Sequence, residues 1–191
     1  MARKVWKRKK GTDLNAKLNN SHHHTGALTE CYFRELDVQL VKFIEESDSV
    51  VGCFAWLTNQ KVMKALVGKP CCMVLQNESW LNKKGGLAVK TRNMYSELRA
   101  SKDKFKVDGQ DIEKDIYVCG MISHPQNMHH KFAVRVGKDG TPQSVWTGSF
   151  NPTTNGNQSI ENALVIHNEE AARAYIQEFL QVRGISKPLK I

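Results

Sequence analysis

The sequence predicts an α/β fold, because helix and strand patterns alternate along the chain. Residues 35–46 (ELDVQLVKFIEE) place apolar side chains at helical spacing, and residues 49–57 (SVVGCFAWL) form the nearly continuous apolar run of a strand buried on both faces. The same order then repeats. The segment TNQKVMKALVG predicts a short helix capped by Thr58 or Asn59, and residues 70–76 (PCCMVLQ) predict the next strand.

Four further strands and a long final helix are predicted in the rest of the chain. The strands fall at residues 116–121, 128–136, 144–151 and 160–166, and a GKDG turn joins the second of these to the third. The final helix follows a cap at Asn168, carries two glutamates in its first turn and ends at Gly184.

Length and charge divide the chain into an arm and one domain. The 191 residues suit a single core. Residues 1–26 are polar and basic without an apolar period, so we predict a flexible arm there and a folded domain at residues 27–191. The formal net charge is +9, and the first ten residues alone hold six cations, at Arg3, Lys4, Lys7, Arg8, Lys9 and Lys10.

The basic arm makes nucleic acid the expected partner. Clustered lysines and arginines attract phosphate backbones through counterion release, and the alternative is a solvated tail that aids solubility or targeting. A second basic segment adds candidate contacts, with Lys83 and Lys84 in a glycine-containing loop and Lys90 and Arg92 in the helix that follows. The alternative for that helix is an ordinary solvated face.

Other composition signals are weaker. No apolar stretch approaches the ~20 residues that span a bilayer, and the N-terminus has no signal-peptide pattern, so we expect a cytoplasmic protein that does not associate with membranes. Five cysteines without a C-x-x-C pair favour buried thiols in a reducing compartment over a zinc site or disulfide. The run of three histidines at residues 22–24 favours a polar linker, because adjacent residues cannot all face one ion.

The segment MHHKFAV carries the first candidate catalytic residues. Side chains alternate across a strand, so His129 and Lys131 share one face, whereas His130 shares the other with Met128 and Phe132. We therefore predict that His129 performs chemistry and that His130 is structural, on the face that packs against a helix layer.

The following strand adds further groups. Ser149 and Asn151 share a face, Gly148 permits close backbone approach, and Glu161 is predicted to open the next strand. A carboxylate at that position could hold one ring nitrogen of a histidine. A histidine, a lysine, amide and hydroxyl donors and a carboxylate make a plausible metal-free phosphoryl-transfer site.

These residues carry a resemblance to a known family. The chain resembles the phospholipase D superfamily and its HKD motif, and looks most like the single-motif nuclease branch that includes bacterial endonucleases and Zucchini-type nucleases. The resemblance covers roughly residues 30–183 and rests on His129-x-Lys131, Gly148-Ser149-Phe150-Asn151 and Glu161.

The resemblance implies a fold and a mechanism. The fold is an α-β-α sandwich around a central mixed sheet. Each site needs two motifs, so a single-motif chain is expected to form a homodimer with the site on its two-fold axis. His129 would attack the phosphodiester and the partner subunit's His129 would protonate the leaving oxygen. Lys131, Asn151 and Ser149 would bind the phosphate, Glu161 would support the histidine, and no metal or cofactor is required.

One position departs from the family pattern. The motif aspartate should stand at position 136, which is Val136, and Asp139 lies in a turn out of register. This departure and the basic arm motivate one alternative to an endonuclease, a catalytically degenerate nucleic-acid-binding module. The resemblance allows a second, a phospholipid phosphodiesterase, because the family has lipid-acting members. DNA and RNA are not distinguished by the sequence, and a preference for single strands rests on family analogy alone.

Overall fold

The computed structural model describes residues 24–25, 27–82, 89–101, 103–120 and 127–191, and it confirms the predicted α/β fold. Several predicted groups lie outside the described residues: the six cations of the first ten residues, two of the three clustered histidines, and the pair Lys83 and Lys84. The strands are β1 His24–Thr25, β2 Thr29–Tyr32, β3 Ser49–Phe54, β4 Cys71–Gln76, β5 Lys104–Val107, β6 Gln110–Glu113, β7 Asp115–Cys119, β8 Lys131–Val136, β9 Pro142–Gly148, β10 Ala163–Ile166 and β11 Lys187–Pro188. The helices are α1 Leu36–Glu45, α2 Gln60–Val67, α3 Ser79–Asn82, α4 Val89–Arg99, α5 Thr154–Gln158 and α6 Glu169–Gly184.

Nine of the described strands form one mixed sheet, in the order β1-β2-β10-β9-β8-β3-β4-β7-β11. The pairs β3–β4 and β4–β7 are parallel, whereas the pairs on the β8, β9 and β10 side are antiparallel. The strands β5 and β6 form a separate hairpin. His24 and Thr25, which the sequence assigns to the arm, pair with β2.

Apolar side chains cover both faces of the sheet. On one face α1, α2 and α4 bury residues such as Leu40 and Tyr95 against Trp146 of β9. On the other face α6 buries Ile176 and Phe179 against β3, β4 and β8. The central strands are therefore buried on both sides, as their continuous apolar runs predict.

The predicted buried cysteines are found in this core. Cys53 of β3 and Cys71 and Cys72 of β4 are almost completely buried and carry free thiols. Burial raises the pKa of Cys71 and of Cys72 to about 12. No helix in the part of the chain that the structure describes combines the length and apolarity needed to cross a bilayer.

Side-chain caps fix where two helices begin. Of the two predicted caps for α2, the structure selects Asn59, whose Oδ1 accepts hydrogen bonds from the backbone N–H groups of Lys61 (3.0 Å) and Val62 (3.3 Å). The cap of α6 is Asn168, as predicted, and its Oδ1 accepts from the N–H of Ala171 at 2.7 Å. Both contacts satisfy backbone donors that the first helical turn leaves unpaired.

Two strands begin later than the sequence predicts. The strand predicted at 128–136 starts at Lys131, and the N–H of Met128 donates to the Oε1 of Gln76 at 2.7 Å. The strand predicted at 160–166 starts at Ala163, so Glu161 precedes β10 and does not open it. Each predicted strand therefore included three residues that precede the ladder, and only the first of each three, Met128 and Ile160, is apolar.

Candidate active site

His129 and Lys131 meet at the start of β8. The Nζ of Lys131 lies 3.0 Å from the Nδ1 of His129 and donates a hydrogen bond to the His129 carbonyl oxygen at 2.7 Å. Lys131 is 8% exposed, because β8 lies between β3 and β9 inside the sheet. The pairing predicted from strand alternation is therefore present, although His129 stands just before the strand.

His130 lies on the opposite side, towards α6, with its ring 5.6 Å from that of Phe132. The sequence places it in the packing face, but in the structure its side chain is 46% exposed. It stands before the strand begins, and its Nε2 lies 2.8 Å from the Oε1 of Glu178 on α6. His130 thus lines an open cavity and does not belong to the apolar core.

Asn151 is held close to this pair by the end of β9. The neighbouring Phe150 is fully buried, which anchors the segment, and Asn151 itself is 7% exposed. Its Oδ1 accepts a hydrogen bond from the backbone N–H of Trp56 at 3.3 Å. Because the oxygen is the acceptor in this contact, the amide NH₂ group is the part of Asn151 that can donate to a substrate oxygen.

Ser149 makes a local contact that the sequence does not reveal. Its Oγ donates to the Oδ1 of Asn162 at 3.0 Å and accepts from the N–H of Asn162 at 3.1 Å. Ser149 therefore ties the end of β9 to the residue before β10. A contact between Ser149 and a phosphate remains a prediction.

Glu161 acts electrostatically on Lys131. Burial lowers the pKa of Lys131, and the negative charge of Glu161 opposes that shift by stabilising the ammonium form. The carboxylate thus supports the charge of the lysine within one chain. Its predicted support of the His129 ring remains a prediction.

The environment of His129 favours its neutral form. Burial lowers the pKa of the imidazole, and the positive charge of Lys131 lowers it further. A neutral imidazole retains a lone pair on one ring nitrogen at neutral pH, as a nucleophile or general base requires. Within the described residues, no group of three or more His, Cys, Asp or Glu side chains is placed to hold a metal ion.

A family model described as "Cardiolipin synthase, PLD-like domain" matches residues 40–183, which is well over half of the chain and includes the whole candidate site. The chain belongs to the phospholipase D superfamily. This membership supports a phosphodiesterase type of chemistry at the site in general terms, and the mixed sheet between helical layers is the fold of the superfamily.

One curated protein resembles this chain in sequence, and two solved structures resemble it in fold. An uncharacterised protein of Acanthamoeba polyphaga mimivirus is 31% identical over 197 residues, covering 87% of this chain and 70% of the relative. The structure of Nuc from Salmonella typhimurium, a phospholipase D family member, has a TM-score of 0.58 at 17% identity, covering 85% of this chain and 98% of Nuc. NucT from Helicobacter pylori has a TM-score of 0.59 at 12% identity, covering 84% of this chain and 98% of NucT.

The residue that replaces the phospholipase D motif aspartate is part of the core. Val136 is fully buried in the apolar cluster beneath α6, next to a register shift between β8 and β9. Asp139 is exposed in the turn, where its carboxylate accepts hydrogen bonds from the N–H and Oγ1 of Thr141 at 2.9 and 2.8 Å. Asp139 therefore stabilises the turn and does not substitute for the missing aspartate.

Sequence reasoning missed two residues that contact this candidate site. The rings of Trp56 and His129 meet in a T-shaped arrangement, with centroids 5.8 Å apart and planes at 83°. The Nε1 of Trp56 donates to the Oε1 of Glu78 at 3.1 Å. Gln76 holds the N–H of Met128, as described above. Trp56 follows β3 and Gln76 ends β4. The carboxyl ends of parallel strands share one edge of a sheet. The positions of Trp56 and Gln76 at the ends of two such strands are therefore the sequence signal that could have identified them.

Two of the basic residues predicted to contact nucleic acid, Lys90 and Arg92, lie within the described part of the chain. Lys90 is exposed and Arg92 is half-buried, both on α4. This helix covers the sheet face that also carries α1 and α2. A role for either residue in binding remains a prediction.

Proposed function

We propose that this chain is a metal-independent endonuclease that hydrolyses nucleic-acid phosphodiester bonds through a phosphohistidine intermediate. The observation that carries the proposal is the contact between His129 and Lys131 at 3.0 Å, in a setting that lowers the pKa of both groups. The contact combines a neutral nucleophile with a buried cation, and the amide of Asn151 is a further donor. The basic composition of the chain supports nucleic acid as the substrate.

The chemical step follows from these groups. When a phosphate binds, Lys131 donates to a non-bridging oxygen instead of to Nδ1, which releases the lone pair of the ring. A ring nitrogen of His129 then attacks phosphorus, a nitrogen–phosphorus bond forms, and the bond to the leaving oxygen breaks. Lys131 and the Asn151 amide stabilise the charge that develops on the non-bridging oxygens.

A second histidine is needed to complete the cycle. We propose that the partner subunit's His129 protonates the leaving oxygen and then takes a proton from water. The oxygen of that water attacks phosphorus and the nitrogen–phosphorus bond breaks, which regenerates the free imidazole. One chain contains one such motif, so the proposal requires a homodimer with a shared site.

Cleavage in the presence of a chelator tests this function. The purified protein is incubated with single-stranded and duplex DNA and RNA in excess EDTA. We expect cleavage that persists under chelation and is lost in His129→Ala. His167→Gln is a matched control, because His167 follows the opposite end of β10 and glutamine can keep a hydrogen bond to its partner Glu30. A requirement for magnesium would contradict the mechanism.

Two alternatives predict different results in the same assay. Val136 in place of the motif aspartate favours a degenerate module, which would bind the oligonucleotides without cutting them. The match to a cardiolipin synthase-type domain favours a phospholipid substrate, and release of a headgroup from cardiolipin or phosphatidylcholine vesicles would support it.

A further inference from the structure

We propose that the cavity between β8, β9 and α6 is a nucleobase subsite, in which Glu178 selects bases that carry an exocyclic amino group. Adenine, cytosine and guanine would be preferred over thymine and uracil. This inference rests on the proposed function, because it assigns a place to the base attached to the phosphate that His129 attacks.

The cavity adjoins the candidate nucleophile. Its volume is about 410 Å³, and His129 and Lys131 line it together with Phe132, Tyr175 and Glu178. Small-molecule sites typically enclose ~300–1,000 Å³. A nucleotide whose phosphate contacts His129 can therefore place its base in the cavity without displacing any part of the core.

The walls of the cavity suit a flat ring. The ring centroids of Phe132 and Tyr175 lie 4.9 Å apart at an interplanar angle of 67°, and the half-exposed ring of His130 lies 5.6 Å from Phe132. Phe132 is 1% exposed, so the partly exposed Tyr175 and the half-exposed His130 offer the aromatic surface. Bases extruded from single strands stack on aromatic side chains of this kind. Ala174 and Gly148 complete the lining without adding bulk.

Two residues that line the cavity carry opposite charges. Lys131 is cationic, whereas Glu178, whose side chain is 43% exposed, carries a carboxylate. A phosphate would be repelled from the carboxylate, so the neutral base is the part of a nucleotide that fits there.

The carboxylate also determines which base fits. One oxygen of Glu178, Oε1, lies 2.8 Å from His130, so the second oxygen is the acceptor available to a ligand. Carboxylates accept hydrogen bonds from exocyclic amino groups, as when Glu or Asp reads the N4 group of cytosine. Thymine and uracil carry no exocyclic amino group, so they cannot make this contact.

The alternative is that the pair of Glu178 and His130 merely ties the loop before β8 to α6. A purely structural pair would affect all substrates equally. Base preference is therefore the measurement that separates the two roles.

The experiment compares oligo(dA) and oligo(dC) with oligo(dT) of the same length, by two independent measurements. The wild-type protein gives kcat/KM for cleavage in EDTA. The His129→Ala variant, which is not expected to cleave, gives Kd for the same oligonucleotides. We expect the amino-bearing oligonucleotides to be favoured roughly tenfold in both measurements, in line with ~1–3 kcal/mol for a good base contact.

Glu178→Leu removes the acceptor and is expected to reduce this preference to about one, and Glu170→Leu is the matched control. Glu170 is exposed two turns earlier on α6 and does not line the cavity. If Glu178→Leu fails to fold, as judged by circular dichroism, Ala174→Phe fills the same cavity and is likewise expected to abolish the preference.

Each result supports or overturns the inference. Equal use of all oligonucleotides by the wild-type protein, or a preference that survives both Glu178→Leu and Ala174→Phe, overturns it. A base preference in Kd without any cleavage supports the subsite and contradicts the nuclease proposal instead. The two failures are thereby distinguishable.

Discussion

At the scale of single residues, burial of the Lys131 ammonium group in the candidate site lowers the stability of the fold. Its ammonium group is almost buried, and burial lowers its pKa. The pKa of Lys131 is therefore lower in the folded chain than in the unfolded chain. Between these two pKa values the unfolded chain binds more protons, so the free energy of unfolding rises as pH rises through this interval. Below that interval the lysine destabilises the fold.

The first residue-scale prediction follows from that cost. Replacing Lys131 with methionine is expected to raise the free energy of unfolding at pH 7 by about 0.5–2 kcal/mol, the usual gain when a strained functional group is removed, while activity is lost. Urea denaturation measures the change. Lys64→Met on the exposed side of α2 should leave stability within ~0.5 kcal/mol. A clear loss of stability in Lys131→Met would show that the lysine is a net structural contact.

The second residue-scale prediction concerns pH. Because burial and Lys131 both lower the pKa of His129, the acid limb of the rate profile should lie below the ordinary histidine value of about 6.5. Activity falls as pH falls through that pKa, since protonation removes the attacking lone pair. In Lys131→Met the pKa of His129 should move upward, which NMR titration of the ring protons can follow. A downward movement would contradict the assigned role of the lysine charge.

At the scale of elements, the approach of β9 to β10 depends on a glycine. Gly148 pairs with Ala163, and a Cβ atom there would lie 2.3 Å from the carbonyl oxygen of Asn162 and 2.8 Å from the Cα of Ala163. Real side chains do not approach backbone this closely, so the strands would have to separate. That movement would also displace Ser149 and the nearby Asn151.

The element-scale prediction uses this contact. Gly148→Ala should destabilise the protein by about 1–3 kcal/mol, the usual cost of overpacking, and reduce cleavage. Gly184→Ala is the matched control, because a Cβ atom at the end of α6 meets nothing within 4 Å. Thermal denaturation of both variants measures the difference. Equal melting temperatures for the two variants would show that the β9–β10 contact relaxes easily.

The sequence predicted long elements better than short ones. The helices α1, α2 and α6 and the strands β3 and β4 repeat their apolar pattern over enough residues to be recognised. The strands β2, β5 and β6 have four residues each, too few for a reliable period, and were not predicted. Within the site, the meeting of His129 and Lys131 follows from local spacing. The contributions of Trp56 and Gln76 depend on contacts between distant segments, which no local pattern encodes.

At the scale of the whole molecule, the proposed shared site makes subunits interdependent. Mixing wild-type protein with an excess of His129→Ala and allowing exchange should reduce activity below the value expected from dilution, because mixed dimers contain one histidine where two are needed. Size-exclusion chromatography with light scattering should give twice the mass of one chain. Activity that simply follows the wild-type fraction, or a monomeric active species, would contradict the shared site.

The buried cysteines make it possible to measure how often the central sheet opens. Alkylating reagents attack the thiolate, and burial keeps Cys71 and Cys72 protonated at ordinary pH as well as out of contact with solvent. Their labelling rate therefore measures how often the central parallel strands become exposed, under conditions where the protein remains folded on average. Cys31 is half-buried on β2, near the sheet edge, so it can be labelled first with a fluorophore while the protein is folded. The later labelling of Cys71 and Cys72 then gives the rate at which the sheet opens.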